Sequence, residues 1–227
     1  MGAKKAKALF YSADRLIFES DEYCEYWSKY YSNLSTIVAD TPQHECIYIT
    51  PRYKEKSIIW VGSPHTASHL IHFIEYFKIF NEYGYKIKLF GVPKDVSGIL
   101  RDGLISFSVI EIYDAKILSA ELELAFISFV PMPSEELFQF RGNLKAKLSM
   151  GYGCLTIASR ISMHERLITH GVNGYLFESL EGFQLILDEI ENGPLASNIA
   201  FQGNKYVANT FSRKEHAMRL VQIAGAL

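Results

Sequence analysis

Ser57-Ile58-Ile59-Trp60-Val61-Gly62-Ser63-Pro64-His65-Thr66 holds four consecutive large apolar residues, then a glycine and a Ser-Pro pair. A strand with one wet face alternates polar and apolar side chains, whereas a continuous apolar run is buried on both faces, as in a parallel sheet. Proline is favoured in a first helical turn, so the stretch reads as a strand over 57–61, a tight turn and the start of a helix. The unit recurs. Lys86-Phe90 leads into Gly91-Val92-Pro93, Phe107-Ile112 precedes a helix near 115–121, and Leu124-Val130 leads into Pro131-Met132-Pro133. Helical patterns over about 67–83 and 96–100 separate the first three strands. Beyond residue 143 the order is helix 144–152, strand 154–158, helix about 163–170, strand 175–177, and helices near 180–191, 195–208 and 212–224. The last helix opens on Ser212-Arg213-Lys214-Glu215, a capping box. Strands alternating with helices pair in parallel and are covered on both sides, so residues 57–227 read as one Rossmann-like α/β domain.

Upstream, Asp14–Phe18 reads as a short strand, Ser20 as the cap of a helix over 21–31, and Ser35–Ala39 as a second extended piece. From Thr41 to Lys56 the pattern has no period and contains Pro42 and Pro51, which makes 42–56 a linker and 1–41 a small separate unit. With 227 residues, 48% hydrophobic and 21% charged, the chain is globular, and 23 basic against 25 acidic residues give no general basic field for nucleic acid. Cys24, Cys46 and Cys154 form no C-x-x-C pair, so neither a disulfide framework nor a metal site is expected. The basic start, Met1 to Lys7, is followed by only four apolar residues, Ala8 to Tyr11, which is too short for a secretory leader, and Gly2 lacks the Ser or Thr at position 6 that myristoylation wants. The longest apolar stretch, Leu124 to Met132, is less than half of the roughly 20 residues that span a bilayer. The expectation is a cytoplasmic chain without a transmembrane segment, peripheral at most on the inner membrane face.

Ligands of open parallel sheets gather at the carboxyl ends of the strands. The first candidate is Gly62-Ser63-Pro64-His65-Thr66, where glycine admits a ligand to the backbone and helix amides attract anions. It is not a Gly-x-Gly-x-x-Gly loop, no acidic residue ends the second strand to hold a ribose, and no Walker motif is present, all of which argues against a nicotinamide site. The second is Pro131-Met132-Pro133-Ser134, running through Phe140-Arg141-Gly142-Asn143 into the helix that starts at Leu144. Lys145 and Lys147 in its first turn oppose the helix dipole, which favours a bound anion nearby; the plainer reading is that both reach into water. The third is His164-Glu165-Arg166 with His170-Gly171-Val172-Asn173-Gly174, a helix whose polar face offers a proton-transfer or sugar-binding group, against a purely structural histidine.

Asn143 to Ser159, His170-Gly171-Val172-Asn173-Gly174-Tyr175-Leu176-Phe177 and the closing Phe211-Ser212 resemble the C-terminal, nucleotide-sugar-binding half of the group 1 (family 4) glycosyltransferases of GT-B fold. The resemblance extends to Ile59-Trp60-Val61-Gly62-Ser63-Pro64 and covers about 57–227, while Ala13 to Ser20 and Thr36-Ile37-Val38 are similar to the end of that family's N-terminal, acceptor-binding half. It implies transfer of a sugar from a nucleotide-sugar, a substrate, with no cofactor or metal. By this analogy Gly62, Ser63, His65, Asn143, Leu144 and Lys145 face the donor and its diphosphate. Gly91, Ile110 and Ile112 lie near the base and ribose, and Pro133, Ser134 and His164 near the sugar. The family's paired glutamates, eight residues apart, fall here on Phe140 and Leu148, and Ala67-Ser68-His69-Leu70 stands where basic residues are expected after the first loop.

The expected function is therefore that of a glycosyltransferase donor domain, a fragment or subunit inactive without an acceptor lobe supplied in cis or by another chain, serving polysaccharide or other glycan synthesis. The alternative is a degenerate module that binds a partner protein through Tyr23, Tyr26, Trp27, Tyr30 and Tyr31.

Overall fold

A computed structural model of the chain describes residues 12–13, 15–18, 21–29, 35–38, 55–103, 105–110, 114–134 and 143–225. Two short strands, β1 (Arg15–Phe18) and β2 (Ser35–Val38), pair in parallel around helix α1 (Asp21–Ser28). The linker expected over 42–56 lies largely outside the described residues, and its last two residues belong to the next strand.

The main sheet has six parallel strands: β3 (Glu55–Val61), β4 (Lys86–Phe90), β5 (Ser108–Ile110), β6 (Ala125–Val130), β7 (Leu155–Ser159) and β8 (Tyr175–Phe177). Their order is β5-β4-β3-β6-β7-β8. The chain steps outward from β3 to β5, crosses back, and steps outward the other way from β6 to β8, so the direction reverses between β3 and β6. At such a switch point the connections leave on opposite faces and a crevice opens above the carboxyl ends of the two strands. The continuous apolar runs are explained by burial: Ile58, Ile59, Ile127, Phe129, Leu155 and Ile157 are fully buried.

Phe129 of β6 is the hub of the core. Its ring centroid lies 5.2–6.4 Å from those of Phe73, Tyr76, Phe77, Phe80, Phe177 and Phe183, within the range of favourable edge and offset contacts. At the amino end of the sheet, Tyr85 Oη donates to Glu191 at 2.7 Å, Lys56 pairs with the same carboxylate at 2.6 Å, and Tyr175 Oη donates to Glu189 at 2.7 Å. These bonds fasten the end remote from the crevice.

Two helices differ from the sequence pattern. The helix expected over 67–83 consists of α2 (Pro64–Ala67), a 3-10 segment (Ser68–Phe73) and α3 (Ile74–Glu82). Ala67, Leu70 and Phe73 are all buried, and residues three apart share a face only where the helix tightens to three per turn. The helix expected over 163–170 is only α7 (Ser162–Glu165), preceded in the chain by α4 (Lys94–Asp102), α5 (Ala115–Leu124) and α6 (Leu144–Gly151). Asn173 captures the backbone beyond it, its Nδ2 donating to Leu167 O at 3.1 Å and its Oδ1 accepting from Thr169 N at 2.8 Å. Helices α8 (Leu180–Asn192), α9 (Ala196–Thr210) and α10 (Arg213–Gly225) complete the chain. Among the described residues no helix is long and apolar enough to cross a membrane.

Candidate functional site

The ladder of the sheet continues one residue past two strands, because Gly62 N donates to Phe90 O and Gly91 N to Ile110 O, each at 3.1 Å. Gly91 has φ +81°, and a Cβ there would stand 2.1 Å from Gly62 O. A Cβ on Gly62 would meet Trp60 Cη2 at 2.1 Å and Thr66 Oγ1 at 2.8 Å. The loops after β3 and β4 thus touch backbone to backbone, and the absence of side chains gives the crevice its floor. Thr66 sets the first helical turn: its Oγ1 accepts from Ser63 N and donates to Ser63 O, both at 3.1 Å.

Opposite stands α6, whose first intrahelical bond runs from Lys147 N to Asn143 O at 2.9 Å, so the amides before it have no acceptor within the helix, and Leu144 and Lys145 of this first turn line the crevice. Ser149 Oγ, 2.6 Å from Ser128 Oγ, fastens α6 to β6, and Asn204 Nδ2 donates to the carbonyls of Met150 and Gly151 at 3.1 and 2.8 Å. Lys145 Nζ donates to Thr66 Oγ1 at 3.1 Å and lies 4.9 Å from the centre of the Trp60 ring. Lys147, for which the sequence left open water or a bound anion, reaches neither the solvent nor the crevice: it is 1% exposed, with its ammonium 4.1 Å over the Phe211 ring, whose negative face offsets part of the lost hydration. The two cations, two residues apart, point to different sides of the helix, and only Lys145 serves the crevice.

The crevice encloses about 620 Å³ between Gly62–Pro64, Thr66, Gly91–Lys94, Leu144, Lys145 and Leu148. A smaller chamber of about 150 Å³ adjoins it behind Thr66, Leu144 and Lys145, walled by Val130, Met132, Asn143, Ala146, Met163 and His164. The structure therefore brings together Gly62, Ser63, Gly91, Leu144 and Lys145 around one space, and Asn143 and His164 around the next. His65 is exposed and lines neither; Ile110 backs Gly91 through its carbonyl; Pro133 and Ser134 follow Met132 but wall neither space. Ile112 lies outside the described residues, as do Tyr30, Tyr31 and Phe140. Tyr26 and Trp27 are half-buried, in edge-on contact at 5.5 Å. Lys94, which the sequence pattern did not single out, lines the crevice at the start of α4. Its signal was position: it follows Gly91-Val92-Pro93 at the carboxyl end of the second strand.

His164 lies on no polar face; it is fully buried. Its Nδ1 is 2.7 Å from Ser159 O, and since a carbonyl only accepts, Nδ1 carries the proton. Burial, and secondarily the charge of Lys145, push its pKa down to about 4, against the opposing hydrogen bond to Ser159. The neutral ring leaves Nε2 as an acceptor, and it has no partner among the described residues. Neither has the buried Oδ1 of Asn143, whose Nδ2 donates to Met163 O.

No family model matches the sequence, and no curated protein matches it. Solved structures do. A pneumococcal O-GlcNAc transferase, GtfA, in complex with UDP and GlcNAc aligns at a TM-score of 0.70 and 14% identity, over 94% of this chain and 45% of its own. Sucrose-phosphate synthase from Thermosynechococcus elongatus aligns at 0.76 and 15%, over 97% and 60%. The C-terminal domain of a group 1 glycosyl transferase from Francisella tularensis aligns at 0.56 and 18%, over 74% of this chain and 97% of its own. The chain spans about half the length of the first two of these structures. What the likeness shows is architecture: this chain has the GT-B fold of these glycosyltransferases, its six-stranded α/β domain corresponding to their C-terminal half.

Proposed function

We propose that the chain is the nucleotide-sugar-binding half of a glycosyltransferase, holding the donor while its sugar passes to an acceptor bound by a second lobe. One observation carries this reading. Lys94 and Lys145 line a crevice of about 620 Å³ at the switch point of the sheet, and no carboxylate lines it among the described residues. A space of this size, floored by glycine backbone and walled by cations, suits a diphosphate with an attached ring. The chemistry such a wall supplies is stabilisation of the negative charge that builds on the departing nucleoside diphosphate, through Lys145 and the first amides of α6. Leu148 gives the crevice an apolar side, so ribose hydroxyls find no acceptor in that side chain. GtfA and the sucrose-phosphate synthase are both longer than the part this chain matches, and on this reading the acceptor wall of the cleft belongs to a lobe outside the α/β domain.

Calorimetric titration with UDP, GDP, ADP and TDP tests the reading. One nucleoside diphosphate is expected to bind saturably, and Lys145→Ala to weaken it roughly ten-fold, the worth of one charge-assisted contact. Absence of binding by all four, or equal affinity in the variant, overturns it. Single-turnover sugar transfer is expected only when an acceptor lobe is supplied.

A further inference from the structure

We infer that Thr66 and Trp60 are positioning residues for Lys145, holding a cation from α6 against the loop after β3. That loop lines the crevice with Gly62, Ser63, Pro64 and Thr66 and, among the described residues, with no cation of its own. The inference rests on the donor reading and deepens it, by naming what places the charge that would meet a diphosphate. Lysine is a point charge on a flexible four-carbon stem, and ordering that stem costs rotamer entropy each time the ammonium meets an anion. Holding it in place beforehand removes that cost from binding.

Lys145 is held from two directions. Its Nζ donates to Thr66 Oγ1 at 3.1 Å and lies 4.9 Å from the centre of the Trp60 ring, whose negative face attracts it. Both holders are themselves fixed. Trp60 is 2% exposed within β3, and its ring reaches Gly62, where a Cβ would meet Cη2 at 2.1 Å, so one side chain backs both the crevice floor and the cation. Thr66 Oγ1 gives its hydrogen to Ser63 O and accepts from Ser63 N, with Ser63 Oγ standing off at 3.4 Å, and the ammonium takes the other lone pair. Only a hydroxyl meets all three demands: a valine of the same shape meets none, and a carboxylate has no hydrogen for Ser63 O. Thr66 is therefore a joint between α2 and α6. Lys147, two residues along the same helix, lies over Phe211 instead, so membership of α6 does not by itself bring a lysine to the crevice.

The test is a double-mutant cycle on the full chain, read by calorimetry with UDP, GDP, ADP and TDP as probes. Thr66→Val is expected to weaken the diphosphate that binds the wild type roughly five-fold, the worth of one hydrogen bond, and Thr66→Ser to restore it. In a Lys145→Ala background Thr66→Val is expected to cost nothing further, because the residue it serves is gone. A threonine that only shaped the Ser63 turn would cost the same five-fold in both backgrounds. A second readout needs no ligand: in proton NMR the ε-methylene signal of Lys145, assigned by its loss in Lys145→Ala, is expected upfield of the ordinary lysine position through the Trp60 ring current, and to move back in Thr66→Val. Losses that add in the double variant, a diphosphate affinity that Thr66→Val leaves unchanged, or an ε-methylene signal that is unshifted in the wild type or unmoved by Thr66→Val each overturn the positioning role and spare the donor reading. Failure of all four diphosphates to bind the wild type overturns both.

Discussion

Gly91→Ala is expected to cost about 3–4 kcal/mol of folding stability and to abolish nucleotide binding, whereas Gly84→Ala is expected to cost about 1 kcal/mol and leave binding intact. Both glycines adopt a left-handed backbone, with φ +81° and +76°, so both substitutions strain the chain alike. They differ in what the new methyl meets. At Gly84 nothing lies within 4 Å; at Gly91 the Cβ would stand 2.1 Å from Gly62 O. That oxygen cannot swing aside like a flexible side chain, because Gly62 N is bonded to Phe90 O and the loops move together. Relief requires the β3 and β4 loops to part, which lifts the floor on which a diphosphate would rest. Urea unfolding of the two variants reads the difference directly. Equal losses for both would mean that the contact between the loops is soft and that the crevice floor does not depend on it.

The residues that build this floor were legible in the sequence, and the reason is physical. A glycine at the end of a fully apolar strand has few purposes other than close backbone approach, so Gly62 stood out from pattern alone, while Gly91 was marked only by the family resemblance. The strands were legible for a similar reason, since burial on both faces leaves a continuous apolar run. Parallel pairing followed from the alternating helices, but strand order was not carried by any local pattern and needed the fold. Three further features needed it too. Three-residue and 3.6-residue periods diverge by less than a residue over one turn, which hid the 3-10 segment behind Ala67, Leu70 and Phe73. Asn173 ended the helix near His164 through bonds to residues four and six positions back, a side-chain choice that leaves no periodic trace. Lys145 and Lys147 looked equivalent as first-turn cations, and only packing separated them, by bringing Phe211 under one and Trp60 under the other. His164 shows the same limit. A short helix with polar letters reads as a wet face, and the burial that turns the imidazole into a neutral acceptor comes from elements distant in the chain.

That burial fixes how stability should depend on pH. His164 holds its proton with a pKa near 6.5 when unfolded and about 4 when folded. Between those values the unfolded state binds more protons, so the folding free energy falls as pH is lowered through the window and is restored above it. The term is fully present above pH 6.5, is reduced by about 2 kcal/mol at pH 5 and by about 3 kcal/mol near pH 4. Other groups titrate in the same range, so the informative quantity is the difference between wild type and His164→Asn, whose amide preserves a donor for Ser159 O and has no ionisation to lose. Chemical unfolding at pH 7, 5 and 4 should show the wild type losing stability faster by those amounts, the two curves converging toward acid. Parallel curves would mean that the folded protein admits a charged imidazolium at this position, with water reaching the chamber readily enough to hydrate it. The surroundings of the ring would then be wet, and His164 Nε2 would have solvent for a partner. A steep wild-type slope says the opposite: the surroundings of the ring are dry enough to hold His164 neutral, which is what its complete burial implies.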